Sequence, residues 1–304
     1  MVSEDNLLTQ QDIAWVCSAL RVRPEQVTRT EKNDSGLNND TYILNVDGRR
    51  YFYRVPGFGT ELFCDRQREC LAYRLCEPFR MTDEVAVFDV TSGRKLSLYY
   101  SGSHTVRTEN LTELQAAMDL LRRFHALPLD FGTRDNHFDR LLRYEQFALG
   151  AGARFDADFY ALKKEVLMLR EPIEAIPLDF CPVHGDFLPD NVLIRPQAEP
   201  ILLDLEFAAM GDRFEDLGTF CHHGDLRPEA VARLLRLYLL REPDAAERFK
   251  TFVFCATAGL MWYGWAMYKL ATGGDRRIYQ AFADRSLAYC AEMLPLAIKN
   301  EKEL

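Results

Sequence analysis

His184-Gly185-Asp186-Phe187-Leu188-Pro189-Asp190-Asn191, with Ile201-Leu202-Leu203-Asp204-Leu205-Glu206-Phe207 after it, carries an acid, an amide and a second acid. These types at these spacings suit the transfer of a phosphoryl group from a magnesium nucleotide. That reaction asks a protein mainly for positioning and charge stabilisation. It needs one carboxylate to orient and deprotonate a hydroxyl, and oxygen ligands to hold Mg²⁺ on the phosphates. Asp186 suits the first task, Asn191 and Asp204 the second.

The kinase catalytic loop places its basic Asp five residues before a metal-holding Asn. Asp186 and Asn191 keep that offset, and His184 stands two places before the acid. Alone the pattern is weak, and a capped turn would explain it. Context strengthens it: Val192-Leu193-Ile194 and Ile201-Leu202-Leu203 read as strands of a hairpin, with Pro196 and Pro200 confined to the turn. The hairpin is expected to return Asp204 toward Asn191. One carboxylate, one amide, phosphates and water suffice for Mg²⁺.

The elements that must position these residues fall into two parts. Asp12 to Leu20 reads as a helix. Tyr42–Val46 and Tyr51–Val55 read as strands joined at Asp47-Gly48. Helical spacing returns from Thr60 to Glu77, with Leu62, Phe63, Cys70, Leu71 and Leu75 available to one face, and strands are expected at Glu84–Phe88 and Leu96–Tyr100. Beyond a hinge at Ser101-Gly102-Ser103, helices are expected over Leu111–Ala126, Phe138–Phe147, Asp156–Ile176, Pro228–Leu240, Ala245–Leu270 and Asp275–Ala297. The expected fold class is α+β, a protein-kinase-like bilobal fold. Residues 1–102 would form a small antiparallel β lobe that binds nucleotide, and residues 103–304 a larger, mostly helical lobe for catalysis and substrate.

Length and composition set outer bounds. The 304 residues allow one large or two modest domains. A net charge of −9, without a Lys/Arg run, argues against nucleic acid as a main partner. The eight cysteines include no Cys-x-x-Cys pair and the first residues lack a secretory pattern, so free thiols in a reducing cytoplasm are expected. Thr251 to Tyr268 carries no charge, but its threonines and glycines suit a buried core helix. No stable membrane insertion is expected.

Several motifs together resemble the choline/ethanolamine kinases of the aminoglycoside phosphotransferase superfamily, especially the bacterial choline kinases. The resemblance runs from about Ser35 to about Gly274. Ser35-Gly36-Leu37-Asn38-Asn39-Asp40-Thr41-Tyr42 is similar to the family's nucleotide loop. Tyr53 to Thr60 and Arg66 to Glu69 are similar to its Leu-Arg-x-Pro-Gly-x-Gly-Thr and Arg-x-x-Glu elements. His184 to Asn191, Asp204 to Glu206, Phe214 to Leu217 and Trp262-Tyr263-Gly264-Trp265 match its catalytic and Trp-x-x-Trp parts.

The resemblance implies ATP and Mg²⁺ as cofactors, with Gly36, Asn39, Arg54 and Glu69 on the nucleotide. Gly36 would let backbone approach phosphate. Arg54 would clamp phosphate bidentately, held by Glu69. A weak surface salt bridge is the plain alternative for that pair, with Glu61 near enough to compete. On the substrate side the resemblance implies Asp186, Trp262, Trp265 and Glu206, the last as an acid orienting Asp204 or the loop. The two tryptophans are three apart, on one helix face. They would attract a quaternary ammonium; ordinary core packing is the alternative. The implied partner is a small cationic alcohol, choline or a related amino alcohol, and a homodimer is carried as a further expectation.

The chain departs from the family pattern at Ser35 and Asn38, and again in Gly218 to His223, where relatives place an amine-facing glutamate and this chain has His222 and His223. A neutral histidine cannot offset an onium charge as a carboxylate does. Two rival readings therefore stand: a kinase for another hydroxylated amine, aminoglycoside or thiamine-like, and a non-catalytic nucleotide-binding pseudokinase. A P-loop or dinucleotide-binding enzyme lacks its signature, since Gly57-Phe58-Gly59 has no third glycine and no Gly-Lys-Ser/Thr follows.

Overall fold

The computed structural model describes residues 8–33, 39–57 and 59–304. The chain divides into two compact units. The first runs to His104 and takes back Arg195–Glu206; the second comprises Thr105–Ile194 and Phe207–Leu304. A single break after residue 102 would leave 195–206 in the helical part. Its backbone explains where it belongs: Leu202 N–H donates to the Met81 carbonyl at 2.8 Å, and Asp83 N–H donates to the Leu202 carbonyl at 3.2 Å.

The first unit is built on an antiparallel sheet of five strands: β1 (Val27–Asn33), β2 (Asn39–Val46), β3 (Arg49–Pro56), β4 (Val85–Phe88) and β5 (Lys95–Leu98), in the order β1-β2-β3-β5-β4. Asp47 and Gly48 both take positive φ, 51° and 79°, which matches the twist of the β2–β3 hairpin. Alternate residues Tyr42, Leu44, Val46, Tyr51 and Tyr53 form a core with Leu96 and with Val16 of helix α1 (Gln10–Leu20). Thr9 and Asp12 cap α1 reciprocally. Asp12 also accepts from the Tyr53 hydroxyl at 2.9 Å, tying helix to sheet.

Helix α2 (Arg66–Cys76) starts later than its spacing suggests. Thr60–Leu62 is a separate 3₁₀ turn, and Asp65, in extended conformation, caps Gln67 and Arg68. The buried face is correspondingly different. Leu62 and Leu71 are exposed, while Glu69, Cys70, Ala72, Tyr73 and Cys76 are buried. A carboxylate therefore lies where an apolar stripe was expected.

Short strands β6 (His104–Thr105), β7 (Phe180–Val183), β8 (Val192–Ile194), β9 (Ile201–Leu202) and β10 (Ala209–Asp212) follow, with β7 and β10 antiparallel. Helices of the second unit are α3 (Leu111–His125), α4 (His137–Gly150), α5 (Ala157–Met168), α6 (Arg170–Ala175), α7 (Arg213–His223), α8 (Pro228–Leu239), α9 (Ala245–Ala271) and α10 (Arg276–Glu301). The expected helix over Asp156–Ile176 is two, broken at Leu169. The Pro172 ring would clash with the carbonyl of Met168 in a continuous helix.

Helix α9 is the axis of this unit. Residues Phe249 to Ala266 are all buried, because α4, α7 and α10 pack around it. Gly218 admits the α7–α9 approach, since a Cβ there would lie 2.5 Å from the Phe254 carbonyl carbon. The uncharged stretch is thus core, and among the described residues no helix is long and apolar enough to cross a membrane.

Candidate active site

In the first unit, four residues singled out from the sequence come together. Arg54 on β3 grips Glu69 on α2 with both arms, Nη1–Oε1 at 2.6 Å and Nη2–Oε2 at 2.9 Å. Its Nη1 also donates to Asp204 Oδ1 at 2.7 Å. Arg66 joins from the first residue of α2, donating to Glu69 Oε2 at 2.8 Å and Glu206 Oε2 at 2.9 Å. The Arg54–Glu69 pair is no surface bridge: Glu69 is 0% exposed and Arg54 3%, whereas Glu61 is exposed.

The electrostatics follow from three carboxylates meeting two guanidiniums. Burial opposes the Arg54 charge, but Glu69 and Asp204 hold its pKa well above the ordinary range. Burial, with Asp204 and Glu69 beside it, pushes the Glu206 carboxyl up to about 7. Asp204 sits in the left-handed region at φ 60°, and its N–H donates to the Tyr73 hydroxyl at 3.1 Å. That hydroxyl also accepts from Lys95, so the backbone is fixed where the acid emerges. Asn39, at the start of β2, has a buried amide oxygen without a partner among the described residues. Gly36 lies outside the described residues.

In the second unit, the catalytic loop is held through its backbone. His184 N–H and Gly185 N–H donate to the two oxygens of Asp216, at 2.7 and 2.8 Å. Asp216 is buried, which opposes its ionisation, yet the hydrogen bond and charge of His125 keep its pKa low. His125 bridges Asp216 at 3.0 Å and the Tyr238 hydroxyl at 2.7 Å. Gly185 has φ 75°, and a Cβ there would lie 2.3 Å from the Phe207 carbonyl oxygen. Phe187 is fully buried, stacked on Phe220 with centroids 5.1 Å apart, and so anchors the residue after Asp186.

A 3₁₀ turn over Pro189–Asn191 brings the amide back beside the acid. Asn191 Nδ2 donates to the Asp186 carbonyl at 2.9 Å and to Asp186 Oδ2 at 3.2 Å. The amide nitrogen is used in these bonds and the oxygen, its metal-binding end, is not. With Asp186, Asn191 and Asp204, the oxygen donors are of the hard type Mg²⁺ prefers. Among the described residues, no group of three or more His, Cys, Asp or Glu is arranged to hold a metal by itself. Asp186 and Asn191 belong to the second unit and Asp204 to the first.

Trp262 and Trp265 do share a face of α9, with ring centroids 5.5 Å apart and edge-to-face. Both are nearly fully buried. Around them stand His223, 4.6 Å from Trp262, and Tyr279 and Phe282, 5.5 and 5.6 Å from Trp265. Lys269 Nζ lies 5.5 Å from the Trp265 ring, a cation supplied by the protein itself. Burial, then Arg285, lowers the His223 pKa to about 3, so its imidazole is neutral. Its Nε2 and the Trp262 indole N–H are buried without partners among the described residues.

Sequence spacing missed His125, Arg140 and Tyr238 as parts of these arrangements, and Arg66 lay inside a recognised motif without a role of its own. Asp216 lay inside a recognised motif, but without a role. Arg66 and Arg140 have local partners in Glu69 and Asp135, but the contacts that join these residues to the catalytic loop and to Glu206 span 31 to 140 residues, beyond the reach of any local period.

Comparison with known proteins gives this arrangement its context. The phosphotransferase enzyme family (APH) matches residues 29–249. No curated protein sequence matches the chain. A choline/ethanolamine kinase family protein from Mesorhizobium loti is similar in structure, with TM-score 0.75 and 22% identity over 91% of this chain and 92% of that one. The choline kinase LicA from Streptococcus pneumoniae gives TM-score 0.76 at 19% identity, covering 97% of this chain and 99% of the other. The gentamicin complex of APH(2")-IIa gives 0.66 at 17% identity, covering 95% and 99%. These likenesses show a shared fold of protein-kinase-like type, an antiparallel sheet followed by a helical part.

Proposed function

Because this chain belongs to the phosphotransferase enzyme family, we propose that it transfers the γ-phosphoryl group of ATP to the hydroxyl of a small acceptor, choline or a related amino alcohol. The observation that carries this reading is the clamped loop that sets Asn191 against Asp186. Asp186 is the base that takes the hydroxyl proton. Arg54, held in place by Glu69, neutralises phosphate, and Asn39 offers to the nucleotide an amide oxygen that has no partner among the described residues. Asn191 and Asp204 are the residues to hold Mg²⁺, which when bound offsets charge on the phosphate oxygens. Glu206 with Arg66 orients the Asp204 strand end. Structures of relatives with AMP and ADP support nucleotide binding.

One observation favours an acceptor amine that keeps an N–H over a quaternary ammonium. His223 is neutral, with an Nε2 beside Trp262 that has no partner among the described residues, and a quaternary ammonium has no N–H to give it. An acceptor amine that keeps an N–H can satisfy that atom, and ethanolamine-like or larger hydroxylated amines meet this condition.

The test is ADP release measured with ATP, Mg²⁺ and a panel of choline, ethanolamine, thiamine and aminoglycosides. Turnover of choline or ethanolamine upholds the proposal. Turnover of an aminoglycoside alone would replace the acceptor. ATP binding with no ADP release for any acceptor would replace the kinase by a nucleotide-binding pseudokinase.

A further inference from the structure

We infer that Arg140 is a positioning residue for Asp186, fixing the Gly185–Asp186 peptide that carries the base. The inference rests on the reading of Asp186 as that base, and the geometry around it lies within the second unit. Arg140 is on the first turn of α4, 2% exposed, with Nη1 donating to the Gly185 carbonyl at 2.5 Å. Its Nε and Nη2 both donate to Asp135 Oδ2, at 2.8 and 2.5 Å. Arg143 donates to the other Asp135 oxygen at 3.1 Å, and the Phe207 ring lies 4.9 Å from the Arg140 guanidinium carbon.

Peptide by peptide, the loop shows why this donor matters. Asp216 holds the N–H groups of His184 and Gly185, which fixes the two peptides before Gly185. The next peptide, Gly185–Asp186, has its N–H 3.3 Å from His184 Nδ1, a long and local hydrogen bond. Gly185 has no Cβ to restrict its ψ. Arg140 supplies the strong, charge-assisted bond on this peptide's carbonyl. Remove it and the peptide can rotate, carrying the Asp186 Cα with it, while Asp216 still holds the preceding ones.

A plain stability role explains less. Burying an Arg–Asp pair is costly, and such pairs are often replaced by apolar residues without loss. The pair with Asp135 accounts for two of the three donating nitrogens. The third is aimed at the carbonyl one residue before the base.

The test compares Arg140→Gln, Arg140→Lys and Arg140→Ala with the wild-type full chain. Hydrogen exchange read by NMR at single amides is the first measurement. Faster exchange at Asp186, with His184 and Gly185 still protected, is expected; equal acceleration at all three, or none, overturns the inference. Kinetics are the second: kcat should fall on the order of 10²-fold with the KM for ATP little changed. Millimolar guanidinium should restore part of the Arg140→Ala rate. Unchanged kcat in folded Arg140→Gln, or loss that tracks unfolding without rescue, also overturns it. Should the Arg140 variants fail to fold, Asp135→Asn, which frees the guanidinium from its anchor, is read the same way, with smaller effects expected. If the wild-type protein releases no ADP with any acceptor, the kinase reading fails by itself, and the exchange pattern alone decides whether Arg140 fixes the peptide.

Discussion

Arg54 Nη1 lies 2.7 Å from Asp204 Oδ1 while the same guanidinium chelates the fully buried Glu69. Residues 150 positions apart thus meet through one nitrogen, inside a network that also holds Arg66 and Glu206. Replacing Glu69 by Ala removes both short bonds of the buried Arg54 to its main partner and leaves it the part-exposed Asp204 and, at 4.0 Å, Glu206. Destabilisation of about 3 kcal/mol is expected, read as a lower urea midpoint, with Glu69→Gln less severe. An unchanged midpoint for Glu69→Ala would show that the pair behaves as an ordinary surface bridge.

Asp186→Asn keeps the shape of the loop and the Asn191 contact but removes the proton acceptor. Turnover should fall by about 10²–10⁴-fold while ATP affinity stays within a few fold. Single-turnover ADP release and nucleotide titration measure the two separately. A variant turning over near the wild-type rate would remove Asp186 from the role of base.

Gly185→Ala places a Cβ 2.3 Å from a backbone oxygen at a φ of 75°. The strain of the left-handed region costs about 1–2 kcal/mol, and the clash with backbone adds to it because a carbonyl cannot swing aside like a side-chain end. A lowered Tm with turnover reduced beyond what the unfolded fraction explains is expected. A variant matching wild type in both would contradict the close approach to Phe207.

Acid should weaken the fold through His137. Burial, then Arg140, lowers its pKa from 6.5 to about 3, with Asp135 and Asp216 opposing only in part. The unfolded chain takes up a proton near 6.5 and the folded chain does not until about 3. Its contribution is therefore whole above pH 6.5 and lost as pH falls from there toward 3. Each such histidine steepens the loss by about 1.4 kcal/mol per pH unit. His137→Gln should flatten urea-derived stability between pH 6.5 and 5 by that amount, whatever its effect at pH 7. An equal slope in both proteins would mean the ring is protonated in the fold.

His223 tests acceptor choice. A carboxylate in its place, beside Trp262, adds the counter-charge that the neutral imidazole lacks. His223→Glu is expected to raise kcat/KM for choline relative to ethanolamine about fivefold, roughly 1 kcal/mol of ion pairing. A ratio that does not move would place the acceptor away from this aromatic cluster.

Much of the fold is legible locally. The Asp47-Gly48 hairpin and the starts of α3, α8 and α9 lie where turn and capping chemistry puts them, and the strands flanking the hairpin contain the expected residues but begin three and two positions earlier. The misplaced boundaries have local causes too strong for periodicity: Asp65 caps α2, which starts at Arg66, six residues beyond Thr60, and Pro172 divides one expected helix. Helix α7 escaped notice because Gly218 interrupts its pattern, and that glycine is explained only by the α9 backbone against it. The exposed Leu62 and Leu71 and the buried Glu69 rotate the buried face of α2 from the expected one, Cys70 remaining on both, since pairing with Arg54 outweighs apolar spacing there.

By itself the sequence determined the order of chemical groups: an acid and an amide five residues apart, an acid after the following strand, and two tryptophans on one helix turn. Those are short-range facts, set by covalent spacing and the pitch of a helix or turn. Tertiary structure alone decided that Arg54 meets Asp204, that Asp216 and Arg140 hold the loop from two sides, and that a neutral imidazole and a lysine attend the tryptophans. Such meetings depend on how whole elements pack, and packing energy is a sum over distant residues that no local pattern encodes.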